Sequence, residues 1–139
     1  MDVQECFDKG FLRKEPPDKR KVDKSIEVAL YKLGRARTLF GLGMFEETVL
    51  NGYAALFHAG RAILFRDGIR EKSHYALFVY LKERYSEKLE RRFLNELNSF
   101  RLERHDISYS LEKPEVTKEE AEHVIAVAKD FIAAVKKIL

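Results

Sequence analysis

The densest run of side chains with usable chemistry is Arg101-Leu-Glu-Arg104-His105-Asp106-Ile-Ser-Tyr109. Arg104, His105 and Tyr109 fall within about a turn and a half of helix. A guanidinium keeps its charge at any ordinary pH and offers a phosphate two parallel donors. An imidazole or a phenol beside it can carry a proton. Arg104 and His105 point about 100° apart around a helix, whereas Arg104 and Tyr109 lie nearer one side. The segment follows the apolar turns of Phe93-Leu94 and Leu97, so it is expected at an inward-facing helix end. The competing reading is a solvated helix end with a capping network, which is the commoner fate of such charge.

The remaining histidines suggest less. His58 stands in Tyr53-Ala-Ala-Leu-Phe57-His58-Ala59, the most apolar stretch, and is expected to be a satisfied structural residue. His74 follows Lys72-Ser73 and is expected at the surface or near a helix cap, and His123, near Glu119 and Glu120, is expected in solvent. The four histidines show no tight metal-ligand spacing and there is no HExxH. Glycine-rich phosphate loops are absent. Cys6 is the only cysteine, which excludes a disulfide framework and a cysteine-rich metal site. No metal or cofactor is therefore expected. Arg84, Lys88, Arg91 and Arg92 are interleaved with Glu83, Glu87 and Glu90, the pattern of an ion-paired exposed surface.

The elements that must position these groups are helices. Val22, Ile26, Ala29, Leu33, Ala36 and Phe40 recur at steps of three and four, predicting a helix from about Lys19 to Phe40 capped by Asp18. Gly41 and Gly43 end it, and a second helix follows from Phe45 to about Phe65, burying Val49, Gly52, Leu56, Ala59 and Ile63. Gly34, Gly52 and Gly60 fall inside helices, which predicts close helix–helix approach there. A third helix is expected over Ser73–Tyr85 and a fourth from Glu87 to about Ile107, with Leu89, Phe93, Leu97 and Phe100 inward. Thr117-Lys-Glu-Glu120 is a capping box opening a fifth. Phe57 and Leu97 are both expected on inner faces. No stretch alternates at period two, so no strand is expected. The reading is all-α: an up-and-down bundle of about five helices over 21–139, preceded by a head piece over 1–20 anchored by Val3, Phe7 and Leu12.

At 139 residues and 45% apolar, the chain has the material for one domain and one core. A net charge of +3, from 26 basic and 23 acidic residues, argues for a local basic patch rather than a basic protein. The first residues lack the basic and apolar regions of a secretory signal, and no apolar run approaches the ~20 residues that cross a bilayer, so a cytoplasmic location is expected. One glutamine and three asparagines among so many charged residues is the composition of a heat-adapted protein.

The chain also resembles a known family. Ala29-Leu-Tyr-Lys-Leu, Phe40-Gly-Leu-Gly-Met-Phe-Glu-Glu-Thr and Asn51-Gly-Tyr-Ala-Ala-Leu-Phe-His58-Ala-Gly-Arg-Ala62 are similar to the helix pair of HEPN-domain proteins. Lys72-Ser73-His74 and Arg104-His105-x3-Tyr109 look like that family's downstream blocks, and Phe7-Asp-Lys-Gly-Phe-Leu-Arg resembles the head of a small prokaryotic branch. The resemblance implies a helical bundle that dimerises, with a nucleotidyltransferase of the antitoxin type as partner. It implies RNA or nucleotide binding through Arg104, His105, Lys72 and His74. The family's metal-independent RNases place a histidine a few positions after the arginine; here Tyr109 stands in that place. Two alternatives stay beside the binding module: an active RNase using Arg104, His105 and Tyr109, and a ligand-free protein scaffold.

Overall fold

The computed structural model describes residues 1–139. Helix α1, Val3–Asp8, is capped by Asp2, whose carboxylate accepts from the Glu5 amide. Strand β1, Leu12–Lys14, follows, and then α2, Lys19–Gly41, capped by Asp18 as expected. The chain reverses through Gly43, at φ +73°, into α3, Phe45–Asp67. Strand β2, Ile69–Glu71, leads to α4, His74–Tyr85, with Ser73 as its cap. Helices α5, Arg91–Tyr109, and α6, Lys118–Ile138, complete the chain, and Thr117 and Glu120 form the full capping box.

The five long helices and their order are those the apolar periodicity predicts. The strands are not. β1 and β2 pair antiparallel, Leu12 opposite Glu71 and Lys14 opposite Ile69. Each strand has three residues, too short for an alternating pattern, and their pairing depends on partners the α2–α3 hairpin brings together. A second correction concerns α5, which begins at Arg91 rather than Glu87. The amides of Lys88 and Leu89 both donate to the Tyr85 carbonyl, so residues 86–90 form a tight turn instead.

α3 is the central helix and packs against α2, α4, α5, α6 and β2. Its apolar stripe is broad: Val49, Leu56, Ala59 and Ile63 are fully buried, and so are Ala55, Ala62 and Leu64. Ile26, Phe40 and Phe45 are only partly buried, at the edges of their stripes. A polar clasp closes the far end of α3. Tyr80 donates to Asp67 at 2.8 Å, and the Arg66 guanidinium donates to the Tyr85 hydroxyl at 2.9 Å and to the Ile138 carbonyl. This ties together the carboxyl-terminal ends of α3, α4 and α6.

Two of the three helical glycines serve close packing. A Cβ on Gly52 would sit 2.7 and 2.8 Å from the two γ-carbons of Val124 on α6, and one on Gly60 would meet Leu77 and Leu81 of α4 at 3.1 Å. Gly34 does not fit the expectation, since it is exposed and nothing lies within 4 Å of its missing Cβ. Gly52→Ala is therefore expected to cost ~1–3 kcal/mol by overpacking, because a valine fixed at χ1 cannot swing its methyls away. Urea denaturation measures the loss. Adding Val124→Ala should recover part of it, whereas a wild-type midpoint for Gly52→Ala alone would refute the contact.

Candidate functional site

Tyr53, Phe57 and Arg61 repeat every four residues along α3 and so share one face. His74, the first residue of α4, lies across them. Its ring stacks on Phe57 with centroids 4.2 Å apart and on Tyr53 at 5.6 Å. Its Nδ1 is 2.8 Å from the Tyr53 hydroxyl, which is itself buried. Two flat contacts and one hydrogen bond leave the imidazole little freedom, and the Tyr53 bond orients Nδ1 and fixes which way Nε2 faces.

Two arginines of α5 complete the cluster. Arg101 and Arg104 both act electrostatically on His74 and on Tyr53. Arg101 is held in place: Asn98 accepts from its Nε at 3.1 Å and from a terminal nitrogen at 2.9 Å, and its guanidinium lies 5.0 Å from the centre of the Tyr75 ring. Arg61 is a third cation, with its charge offset. Its Nε is 2.9 Å from a carboxylate oxygen of buried Glu71, and its guanidinium sits over Phe57 and Phe65. The other Glu71 oxygen has no hydrogen-bond partner.

Burial lowers the His74 pKa from its ordinary value, and Arg104, Arg101 and Arg61 lower it further. The ring therefore favours its neutral form, in which one nitrogen carries the proton and the other the lone pair, the Tyr53 hydroxyl engaging Nδ1 in either tautomer. An anion seated between the arginines and His74 would cancel part of that repulsion and favour proton uptake by the ring. Burial raises the Tyr53 pKa, which the same two arginines partly oppose, so Tyr53 stays a neutral phenol. The arrangement suits a phosphate: two forked donors, one oriented imidazole and an aromatic wall.

The other sequence candidates lie apart from this pair. Arg104 is half-buried, on the side of α5 turned to Tyr53 and His74. His105 and Tyr109 are exposed and lie against each other, ring centroids 4.8 Å apart, one helical turn apart on the outer face. The expectation of an inward-facing helix end is corrected there: Asp106, Ser108 and Tyr109 are also exposed, and Tyr109 shares a face with His105 rather than with Arg104. Lys72 is exposed at the end of β2, and its recorded bond is from its backbone amide to the Phe11 carbonyl. His74 is not merely a near-cap residue, since its ring belongs to the cluster. His123 is exposed, as expected, and from there reaches Glu96 on α5 at 3.0 Å. Tyr53, Phe57 and Arg101 were not among the sequence candidates; the four-residue spacing of Tyr53, Phe57 and Arg61 was the signal available for the first two.

His58 is half-buried and meets Phe57 edge-on, without the hydrogen bond expected of a satisfied core histidine. Burial pushes its pKa down to about 4, helped by Arg61, Lys32 and His74. In the unfolded chain it titrates near ~6.5. Between those two pH values the unfolded state holds the extra proton, so stability falls as pH drops through that window and is fully present above it. Melting temperature is expected to fall from about pH 7 to about pH 5, and less so in His58→Leu. Equal falls in both proteins would show that other groups set the acid limb.

A curated protein of Methanocaldococcus jannaschii described as a "putative toxin" is 29% identical over 119 residues, covering 82% of this chain and 85% of that protein. A family model described as the HEPN domain matches residues 22–138, the whole of the bundle from the first turn of α2 to the end of α6. Because that match spans most of the chain, the chain belongs to the HEPN family.

Proposed function

We propose that this protein is the toxin-like member of a two-protein system, a HEPN dimer that binds RNA or a nucleotide through its phosphate. The convergence of Arg101 and Arg104 on the Tyr53–His74 pair carries the reading, because that cluster offers fork donors and a neutral imidazole to one anion. The toxin description of the M. jannaschii relative supports the toxin-like part. The partner is a nucleotidyltransferase of the antitoxin type, the dimer is twofold, and both act in the cytoplasm. Two like-charged Arg104 clusters facing each other across a twofold cleft would draw in an anion.

Metal-independent RNA cleavage is the second reading, and one observation favours it: His74 is neutral and oriented next to two arginines. In such a step the ribose 2′-OH attacks the adjacent phosphorus, the 5′-oxygen leaves, and a 2′,3′-cyclic phosphate remains. An imidazole takes the 2′-OH proton, the departing 5′-oxygen takes a proton from a second carrier or from water and leaves as a hydroxyl, and the arginines hold the phosphate charge. His105 and Tyr109 are the alternative proton carriers. Incubating the protein with RNA in EDTA, with binding and cleavage read separately, tests both. Binding without cleavage is the expected outcome, and Tyr109→His is the variant that should gain cleavage. No binding of RNA or nucleotide by a dimeric sample would overturn the proposal and leave a protein scaffold.

A further inference from the structure

Helices α4 and α5 are joined by a short turn and run antiparallel, and a groove of about 810 Å³ opens between them, within the range of ligand sites. From α4 and the cap that ends it come Phe78, Lys82 and Ser86, at steps of four, and from α5 come Arg91, Asn95, Asn98 and Ser99. None of the lining residues is acidic. That is unusual for a chain with 23 carboxylate side chains interleaved with its cations. Nearby Arg84 and Arg92 are tied to Glu83, Glu90 and Asp130, as the sequence pattern predicts, but Lys82 and Arg91 take no part in those pairs. A second hollow, at the other side of α5 and its following loop, is lined by four carboxylates, Glu103, Asp106, Glu112 and Glu115, against one cation, Lys113. α5 thus presents a cationic side and an anionic side.

Three features inside the groove point to a nucleic-acid strand. Asn98 gives its oxygen to Arg101, which leaves its amide nitrogen as the remaining donor, and Asn95, one turn earlier, is exposed. Phe78 carries Lys82 over its ring at 5.8 Å and stands 6.1 Å from Tyr75, which carries Arg101, so cations alternate with aromatic faces along the wall. The groove also has a direction: at its Asn98 end, Arg101 and Tyr75 lie just beyond the lining and lead toward the Arg104–His74 cluster. From Arg91 to Arg104 is about 20 Å of helix, several nucleotides of extended chain. Aromatic faces with alternating cations accept any base by stacking, and carboxamides add hydrogen bonds to base edges.

We infer that the α4–α5 groove is a binding track for single-stranded RNA, in which Lys82 and Arg91 hold phosphates upstream or downstream of the one at Arg104. The inference rests on the proposed RNA-binding reading of the Arg104 cluster. It is tested by fluorescence anisotropy with a labelled oligouridine of about 12 nucleotides, against the full chain at several salt concentrations. The double variant Lys82→Ala/Arg91→Ala should bind about tenfold more weakly. Its salt slope should be shallower by about 1.4, two phosphate contacts on a single strand. Lys129→Ala/Lys136→Ala removes the same charge from exposed positions on α6 and should stay within about twofold of wild type. Asn95→Asp, which puts a carboxylate in the groove, should also weaken binding, and circular dichroism checks that each variant is folded.

Equal losses in the two double variants would overturn the track, since net charge would then explain both. So would a uridine mononucleotide that binds as tightly as the oligomer, or polyglutamate that competes as well as RNA. If Arg104→Ala abolishes binding and the groove variants leave it intact, the track fails and the Arg104 site stands. If the wild-type protein binds no RNA at all, both fall together.

Discussion

Arg104→Ala is expected to weaken the proposed RNA or nucleotide binding about 10- to 100-fold, the loss of charge-assisted hydrogen bonds worth ~1.5–3 kcal/mol. The melting temperature stays near wild type, because Arg104 has no carboxylate partner in the fold, unlike Arg61 with Glu71 or Arg92 with Glu90. Removing Arg104 also removes one of the charges that hold down the His74 pKa, so that pKa rises toward its ordinary value. Histidine titration by NMR reads this directly in the free protein, with no ligand present. Arg104→Lys keeps the charge and loses the planar fork, so it should recover the pKa effect and only part of the affinity. A variant with a lowered melting temperature and unchanged binding would make Arg104 a structural residue and remove the basis of the site.

Leu97→Ala is expected to cost ~2–5 kcal/mol, the range for a cavity left in a close-packed core. Leu97 is 1% exposed and sits inside α5 between Phe93, Leu94 and Phe100 in the same apolar cluster. Equilibrium unfolding in urea measures it, and a loss under about 0.5 kcal/mol would show that the site relaxes as a surface does. Phe57, paired with Leu97 as an inner-face residue by periodicity, belongs to a different class. It is only partly buried, and its ring is the platform for His74. Phe57→Ala should therefore cost less stability than Leu97→Ala and disturb the His74 resonance more.

These two residues mark how far sequence reading reaches in this chain. Leu97 was legible because a helix that repeats apolar residues every three or four positions must bury them. Phe57 obeys the same spacing, and periodicity cannot tell a ring that fills the core from a ring at its rim. The five long helices, the Asp18 cap and the Thr117–Glu120 box were legible for the same local reason: each depends on residues within a turn or two. The β1–β2 pair was not, since Leu12 meets Glu71 only after two long helices have folded back. The site divides likewise. Arg104 could be picked out within α5, but its companions Tyr53 and His74 come from α3 and α4, and no local pattern joins them. His105 was adjacent in sequence and therefore attracted notice; one residue along a helix turns a side chain about 100° away.

The small sheet has a consequence for the order of events in folding. Joining β1 to β2 closes a loop that contains the whole of α2 and α3, so its entropy cost is met only after that hairpin has formed. The head then closes late, and when it does Val3, Cys6 and Leu12 join the main core. When it opens, the Lys72 amide loses the Phe11 carbonyl and the Gly68 carbonyl loses the Glu15 amide. Both bonds bracket the strand that delivers Glu71 to Arg61 and His74 to Tyr53. Any opening at the amino-terminal head would thereby be felt at the imidazole stacked on Phe57, some sixty residues along the chain by the pairing of Leu12 with Glu71.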